Sequence, residues 1–230
     1  MDYAKDKDGI GVKLREFWKW LWESDSTWSY IVFLILVFVF IKFIFMPGLS
    51  LLFGMGLHGL PLAIVESSSM EHYSIKGTDQ KCNLNSYGIC GSCFDNKNSF
   101  NLDEYWNTCG NWYEQNTNIT KEQFSQFSLK NGFRKGDIMI IFKKKTINIG
   151  DVIIFEAGSA HPIIHRVISL NPIQTKGDHN EAQLVPGNNN YGANEKNIPE
   201  ERIVGTAVFK IPWLGWPKLM VVELWNKIFS

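Results

Sequence analysis

The sequence predicts a mainly β, antiparallel domain, tethered by an N-terminal transmembrane helix and interrupted by a Cys-containing insert. Three observations predict it. From Gly132 onward, short β-branched runs recur between Gly-, Asn- and Pro-rich turns. Trp28 to Met46 is apolar apart from Ser29, Tyr30 and Lys42, close to the ~20 residues that cross a bilayer. All four cysteines fall between Cys82 and Cys109. Lys and Arg together number 23, as do Asp and Glu, so the formal net charge is zero and no global field points to nucleic acid.

Residues 1–27 read as a cytosolic amphipathic segment. In "KLREFWKWLW", Leu14, Phe17, Trp18 and Leu21 follow helical spacing, while Lys13, Arg15 and Lys19 lie off that stripe. Such a helix suits a membrane surface. Asp25 or Ser26 can cap the next helix. Residues 28–46 form the expected anchor. Lys42 lies near its far end and can snorkel outward. No A-x-A-like site directly follows the long apolar run, so it reads as retained rather than cleaved. Lys5, Lys7, Lys13, Arg15 and Lys19 precede it and predict a cytosolic N-terminus with the remainder exported.

Residues 47–72 form a membrane-proximal segment. "PGLSLLFGMGLHGLP" is apolar, but its Gly and Pro content makes it a poor continuous helix. The apolar strand "PLAIV", Pro61 to Val65, then leads into "ESSSM", with three consecutive serines before Met70. Residues 73–132 form the insert, polar, Asn-rich and weakly periodic. Cys82, Cys90, Cys93 and Cys109 read as two disulfides in an oxidising exterior, with three possible pairings. A zinc knot is the rival, because Cys90 and Cys93 form a Cys-x-x-Cys pair. Asn118-Ile119-Thr120 matches a glycosylation acceptor. Residues 133–212 form the β-rich core, where "DIMIIF" and "DVIIFEA" each follow a Gly. Residues 213–230 are apolar and Trp-rich, a segment that packs on the domain or dips into the membrane interface.

A serine hydroxyl is a poor nucleophile until a base takes its proton. Hydrolysis needs that base, a group to orient it, and donors for the oxyanion. Ser67, Ser68 and Ser69 are the serine candidates. His161 and His165 flank "PII" on an expected strand, and Asp178 sits in the turn-like "TKGDHN". Taken singly, a strand His is more often structural, and Asp in a Gly-rich turn is usually a turn former.

Taken together, "SSSMEH", "KGDIMII", "GDVIIF", "HRV" and "KGDHN" resemble, in order, five boxes of the type I signal peptidases. The branch is that of archaea and the endoplasmic reticulum, peptidase family S26. The resemblance runs from about Pro61 to Pro212, with the Cys segment as an interruption. It implies Ser69 as nucleophile, His165 as general base and Asp178 as the acid that orients it. It implies Ser67 as the hydroxyl that helps the Ser69 N–H hold the oxyanion. Pro61, Leu62, Ala63, Ile64, Val65 and Met70 are the expected substrate contacts, by β-augmentation along the strand. No metal or organic cofactor is expected.

Three departures stand out. Ser68 replaces the usual Gly and His72 the usual Pro, and neither position is expected to carry the chemistry. Many relatives have a second Asp beyond the first, where this chain has Leu184; Glu181 is the nearest acidic side chain and the second choice for the acid. The expected activity is that of a membrane-bound serine endopeptidase removing signal peptides after small residues. Its partners would be preproteins, the lipid bilayer and the translocation machinery, with no nucleic acid. Its expected place is the cell membrane, or the endoplasmic reticulum membrane in a eukaryote. The alternative is a catalytically inactive, signal-peptidase-like exported binding protein.

Overall fold

The computed structural model describes residues 7–56, 59, 61–77, 81–158, 162–189 and 192–229. The chain divides into two compact units, 1–52 with 56–58, and 53–55 with 59–230.

The first unit is helical. Helix α1 spans Lys7–Glu23 and α2 spans Thr27–Phe40. Ser26 begins α2, its hydroxyl accepting the Trp28 N–H. A π turn at Ile41–Phe45 leads into α3, Met46–Leu52. Together Thr27–Leu52 make one apolar helix of 26 residues, long and apolar enough to cross a membrane. At 1.5 Å per residue it measures about 39 Å, against a hydrocarbon core of about 30 Å. The helix therefore runs past Pro47, where the sequence predicted a break. The π turn directly before Pro47 already shifts the backbone pairing, with the Met46 N–H reaching the Ile41 carbonyl, so the missing proline donor is absorbed locally. Gly54 and Gly56 then take positive φ, which glycine tolerates and which ends the helix.

The second unit is built on two antiparallel sheets. Strands β1 (Leu62–Ile64), β5 (Ile138–Phe142), β6 (Val152–Phe155), β7 (Ile163–Leu170), β8 (Ile173–Lys176) and β9 (Ile203–Ile211) form the larger, in the order β1-β5-β9-β6-β7-β8. Strands β2 (Ile75–Lys76), β3 (Tyr87–Ile89) and β4 (Ser92–Phe94) form the smaller. The mainly β reading holds for the region of the larger sheet. Among the described residues helix exceeds strand, because the N-terminal unit and the C-terminus are helical and the insert adds short helices.

Strand β6 explains the sheet's placement. All four of its residues are buried. Val152 and Ile154 join one core cluster with Val65, Met70, Phe133, Met139 and Ile141. Ile153 and Phe155 join another with Val167, Ile173 and Ile198. A strand covered on both faces reads as a continuous apolar run, as "VIIF" does. The Gly-Asp pairs that begin β5 and β6 share one construction. Gly136 and Gly150 adopt φ of 89° and 90°. Asp137 and Asp151 then accept the N–H three residues back, at Arg134 and Asn148.

The insert carries α4 (Leu102–Tyr105), α5 (Asn111–Asn116) and α6 (Lys121–Ser125). Its disulfides are Cys82–Cys93 and Cys90–Cys109, which selects one of the three pairings. Its aromatic cluster of Tyr105, Trp106, Tyr113 and Phe124 includes Ile168 of β7, so the insert packs on the larger sheet. Asn118 is exposed, while the Thr120 hydroxyl caps α6. The C-terminal helix α7 (Trp216–Phe229) begins on the domain, with the Trp216 ring over Gly136 and Leu219 buried. Met220, Val221, Leu224, Trp225 and Ile228 remain exposed.

Candidate active site

Strand β1 lies at the edge of the larger sheet and, among the described residues, pairs only with β5, Ala63 opposite Met139. Val65 prolongs that pairing through Asp137 and Gly136 before the chain turns into the serines. The Ser67 and Ser69 hydroxyls stand 3.2 Å apart. The loop is held at both sides. The Glu71 N–H closes a turn on the Ser68 carbonyl, and the His179 N–H donates to the Ser69 carbonyl at 2.9 Å. Met70 was expected among the substrate contacts, but it is buried at 1 % exposure. Its sulfur accepts the Asp178 N–H and its carbonyl accepts the Phe133 N–H, so it fastens the serine loop to the core.

His165 sits on β7 opposite Ile153 and is buried. Its Nε2 faces Gly177. A Cβ placed on Gly177 would lie 2.7 Å from that nitrogen and 2.8 Å from the Ser69 carbonyl oxygen. His165 and the Ser69 loop thus converge over a position where a Cβ would meet both. The other ring nitrogen, Nδ1, lies 2.5 Å from Glu195 Oε1. The same oxygen accepts the Thr175 hydroxyl at 2.8 Å, and Oε2 accepts the Leu184 N–H at 2.6 Å.

Asp178, expected to orient His165, is committed elsewhere. Its carboxylate receives two hydrogen bonds from Arg166, at 2.9 and 2.7 Å, and lies 3.1 Å from His72 Nε2. The Tyr113 hydroxyl donates to the same carboxylate at 3.2 Å, and Tyr105 to the Asp178 carbonyl at 2.8 Å. Arg166 spends its remaining N–H groups on the carbonyls of Ser128, Leu129 and Gly150. The physical reason is charge. Burial would raise the Asp178 carboxyl, but the Arg166 guanidinium, with hydrogen bonds from His72 and Arg166, holds it well below the usual range. Glu181, the second choice, is exposed and pairs with Lys81. His161 lies outside the described residues.

Lys176 is also buried, over the Trp112 and Tyr113 rings at 5.0 and 5.1 Å. Burial lowers it to about 8, against the raising effect of the Asp178 and Glu195 charges. Its ammonium donates to the Gly177 carbonyl at 3.0 Å.

No family model matches the chain. Relatives are found among curated proteins. The signal peptidase complex catalytic subunit SEC11 of Plasmodium falciparum is 28 % identical over 96 residues, which is 38 % of this chain and 50 % of the relative. Proteins of the same name from Pyricularia oryzae and Sclerotinia sclerotiorum are 24 % and 26 % identical over 106 residues, 42 % of this chain and 60 % of each relative. The chain is homologous to signal peptidase catalytic subunits. The matched segments span about half to three fifths of those relatives.

Against the signal-peptidase pattern, the departures gain a location. His72, where the pattern has Pro, is 3 % exposed and stacks on Tyr105 of the insert, ring centroids 3.7 Å apart. It therefore couples the insert to Asp178. The Cys90 N–H binds the His179 carbonyl, so the insert also grips the loop that holds Ser69. Leu184, where the pattern has its second Asp, presents its backbone N–H to the Glu195 carboxylate. No signal in "NYGANEKN" singled out Glu195, which is brought to His165 by folding alone.

Proposed function

We propose that the chain is the catalytic subunit of a membrane-anchored signal peptidase, a serine endopeptidase that removes N-terminal signal peptides from exported preproteins after small residues. The observation that carries this is the convergence of His165 Nε2 and the Ser69 loop over Gly177, with Ser67 beside Ser69. The homology to signal peptidase catalytic subunits supports the substrate class.

The extended end of a signal peptide adds as a strand along the free edge of β1, whose backbone sets its register. Ser69 Oγ attacks the scissile carbonyl carbon while His165 Nε2 takes its proton. Charge passes to the carbonyl oxygen, which the Ser69 N–H and the Ser67 hydroxyl stabilise. The C–N bond breaks, and the leaving amine takes the proton from His165. Water, deprotonated by the same imidazole, then hydrolyses the acyl-enzyme and regenerates Ser69.

The Thr27–Leu52 helix is the anchor in this reading, and the catalytic unit lies on the exported side of the cell membrane, or of the endoplasmic reticulum membrane in a eukaryote. The translocation machinery is the proposed neighbour. The test is cleavage of a preprotein by the detergent-solubilised chain beside Ser69→Ala and His165→Ala. Product from the parent, lost in both variants, is expected. A parent that cuts nothing, or a Ser69→Ala that cuts equally well, sinks the proposal.

A further inference from the structure

We infer that Glu195 is the positioning residue for His165, delivering the triad's carboxylate from a place in the chain that the sequence motifs do not mark. The inference rests on the peptidase reading above and assigns the acid of that same site.

Glu195 is fully buried and both of its oxygens are engaged. Oε1 meets His165 Nδ1 at 2.5 Å and the Thr175 hydroxyl at 2.8 Å, and Oε2 takes the Leu184 N–H at 2.6 Å. Its backbone is fixed as well. Its N–H donates to the Leu184 carbonyl at 2.8 Å, and its carbonyl accepts from the Thr175 N–H and the Gln183 side chain. Side chain and main chain therefore place one carboxylate oxygen on Nδ1 without freedom to swing away.

An acceptor on Nδ1 keeps the proton there and leaves Nε2 free to receive the serine proton. It also stabilises the imidazolium formed during attack. Asp178 cannot serve, because both of its oxygens are held by Arg166. Leu184, where the resemblance expects a second aspartate, instead supplies its backbone N–H to Glu195. A longer side chain from further along the chain thus fills the place of a shorter one.

Two substitutions in the full, detergent-solubilised chain separate charge from shape. Glu195→Gln keeps the volume and removes the charge; Glu195→Asp keeps the charge and removes a methylene. A packing role predicts Gln above Asp. A positioning carboxylate predicts Asp above Gln, with kcat in Glu195→Gln down by about 10³-fold or more and KM changed little. Preprotein cleavage is measured for both beside the parent and Ser69→Ala. Asp more active than Gln supports the assignment. Gln equal to or above Asp overturns it. A parent that cuts nothing, or that cuts no better than Ser69→Ala, overturns instead the peptidase reading on which it stands.

Discussion

At the residue scale, Gly177 and Asp178 are neighbours with opposite duties. Gly177 leaves room. Its Cβ would meet His165 Nε2, the Ser69 carbonyl and the Asn180 side chain, all under 3 Å. Gly177→Ala is therefore expected to push His165 off the Ser69 loop and, on the proposed mechanism, cost about 10²-fold in preprotein cleavage. Kinetics together with an unchanged melting temperature would check this. Asp178 bears load. Asp178→Asn leaves Arg166 buried without the carboxylate that pairs it, only backbone carbonyls remaining, and breaking a buried pair costs about 3–5 kcal/mol. Denaturant unfolding of the variant should show a loss of that size, while a loss under about 1 kcal/mol would show that Arg166 finds other partners. Both residues lie in "KGDHN", yet the sequence singled out only Asp178, and for orienting His165. The motif is legible, but which charge an aspartate faces depends on Arg166, twelve residues away on another strand.

At the scale of elements, the insert is a brace. Tyr105 and Tyr113 come from its helices and both donate to Asp178, while Cys90 binds the loop at His179. The Cys90–Cys109 link closes a separation of 19 residues. Loop-closure entropy for that length is about 3 kcal/mol. Replacing both cysteines by serine should lower the melting temperature and, at temperatures near it, cleavage as well. A double variant that melts with the parent would show that the aromatic cluster alone holds the insert. The sequence confined the cysteines and favoured two disulfides, but it left the pairing open. Four similar thiols in a weakly periodic segment carry no distance information until β3, β4 and α4 are packed.

At the scale of the whole molecule, the buried charges set a pH dependence. Burial lowers the His72 imidazole below its usual value, only partly offset by the Asp178 hydrogen bond. The unfolded chain then binds more protons than the folded one, so stability rises with pH through the His72 range. It is complete above about 6.5 and declines as pH falls through the lower folded value. Asp178, whose folded value is depressed, adds stability present above about 3.9 and lost only in stronger acid. The parent should melt lower at pH 5 than at pH 7, and His72→Gln should narrow that gap. Equal gaps in the two proteins would move the titration to another group.

The sequence by itself determined the apolar helix, the β-rich core, the grouping of cysteines, and the order of Ser69, His165 and Asp178 along the chain. These are read from composition, periodicity and short motifs, where cause and effect lie within a few residues. Tertiary structure alone decided that Met70 is core, that His72 ties the insert to Asp178, and that Glu195 meets His165. The physical reason is that burial makes an unpaired charge costly, so each buried ion takes the partner that the fold brings within hydrogen-bond reach. Arg166 claims Asp178, and the carboxylate left for His165 is Glu195, thirty positions away in sequence and 2.5 Å away in space.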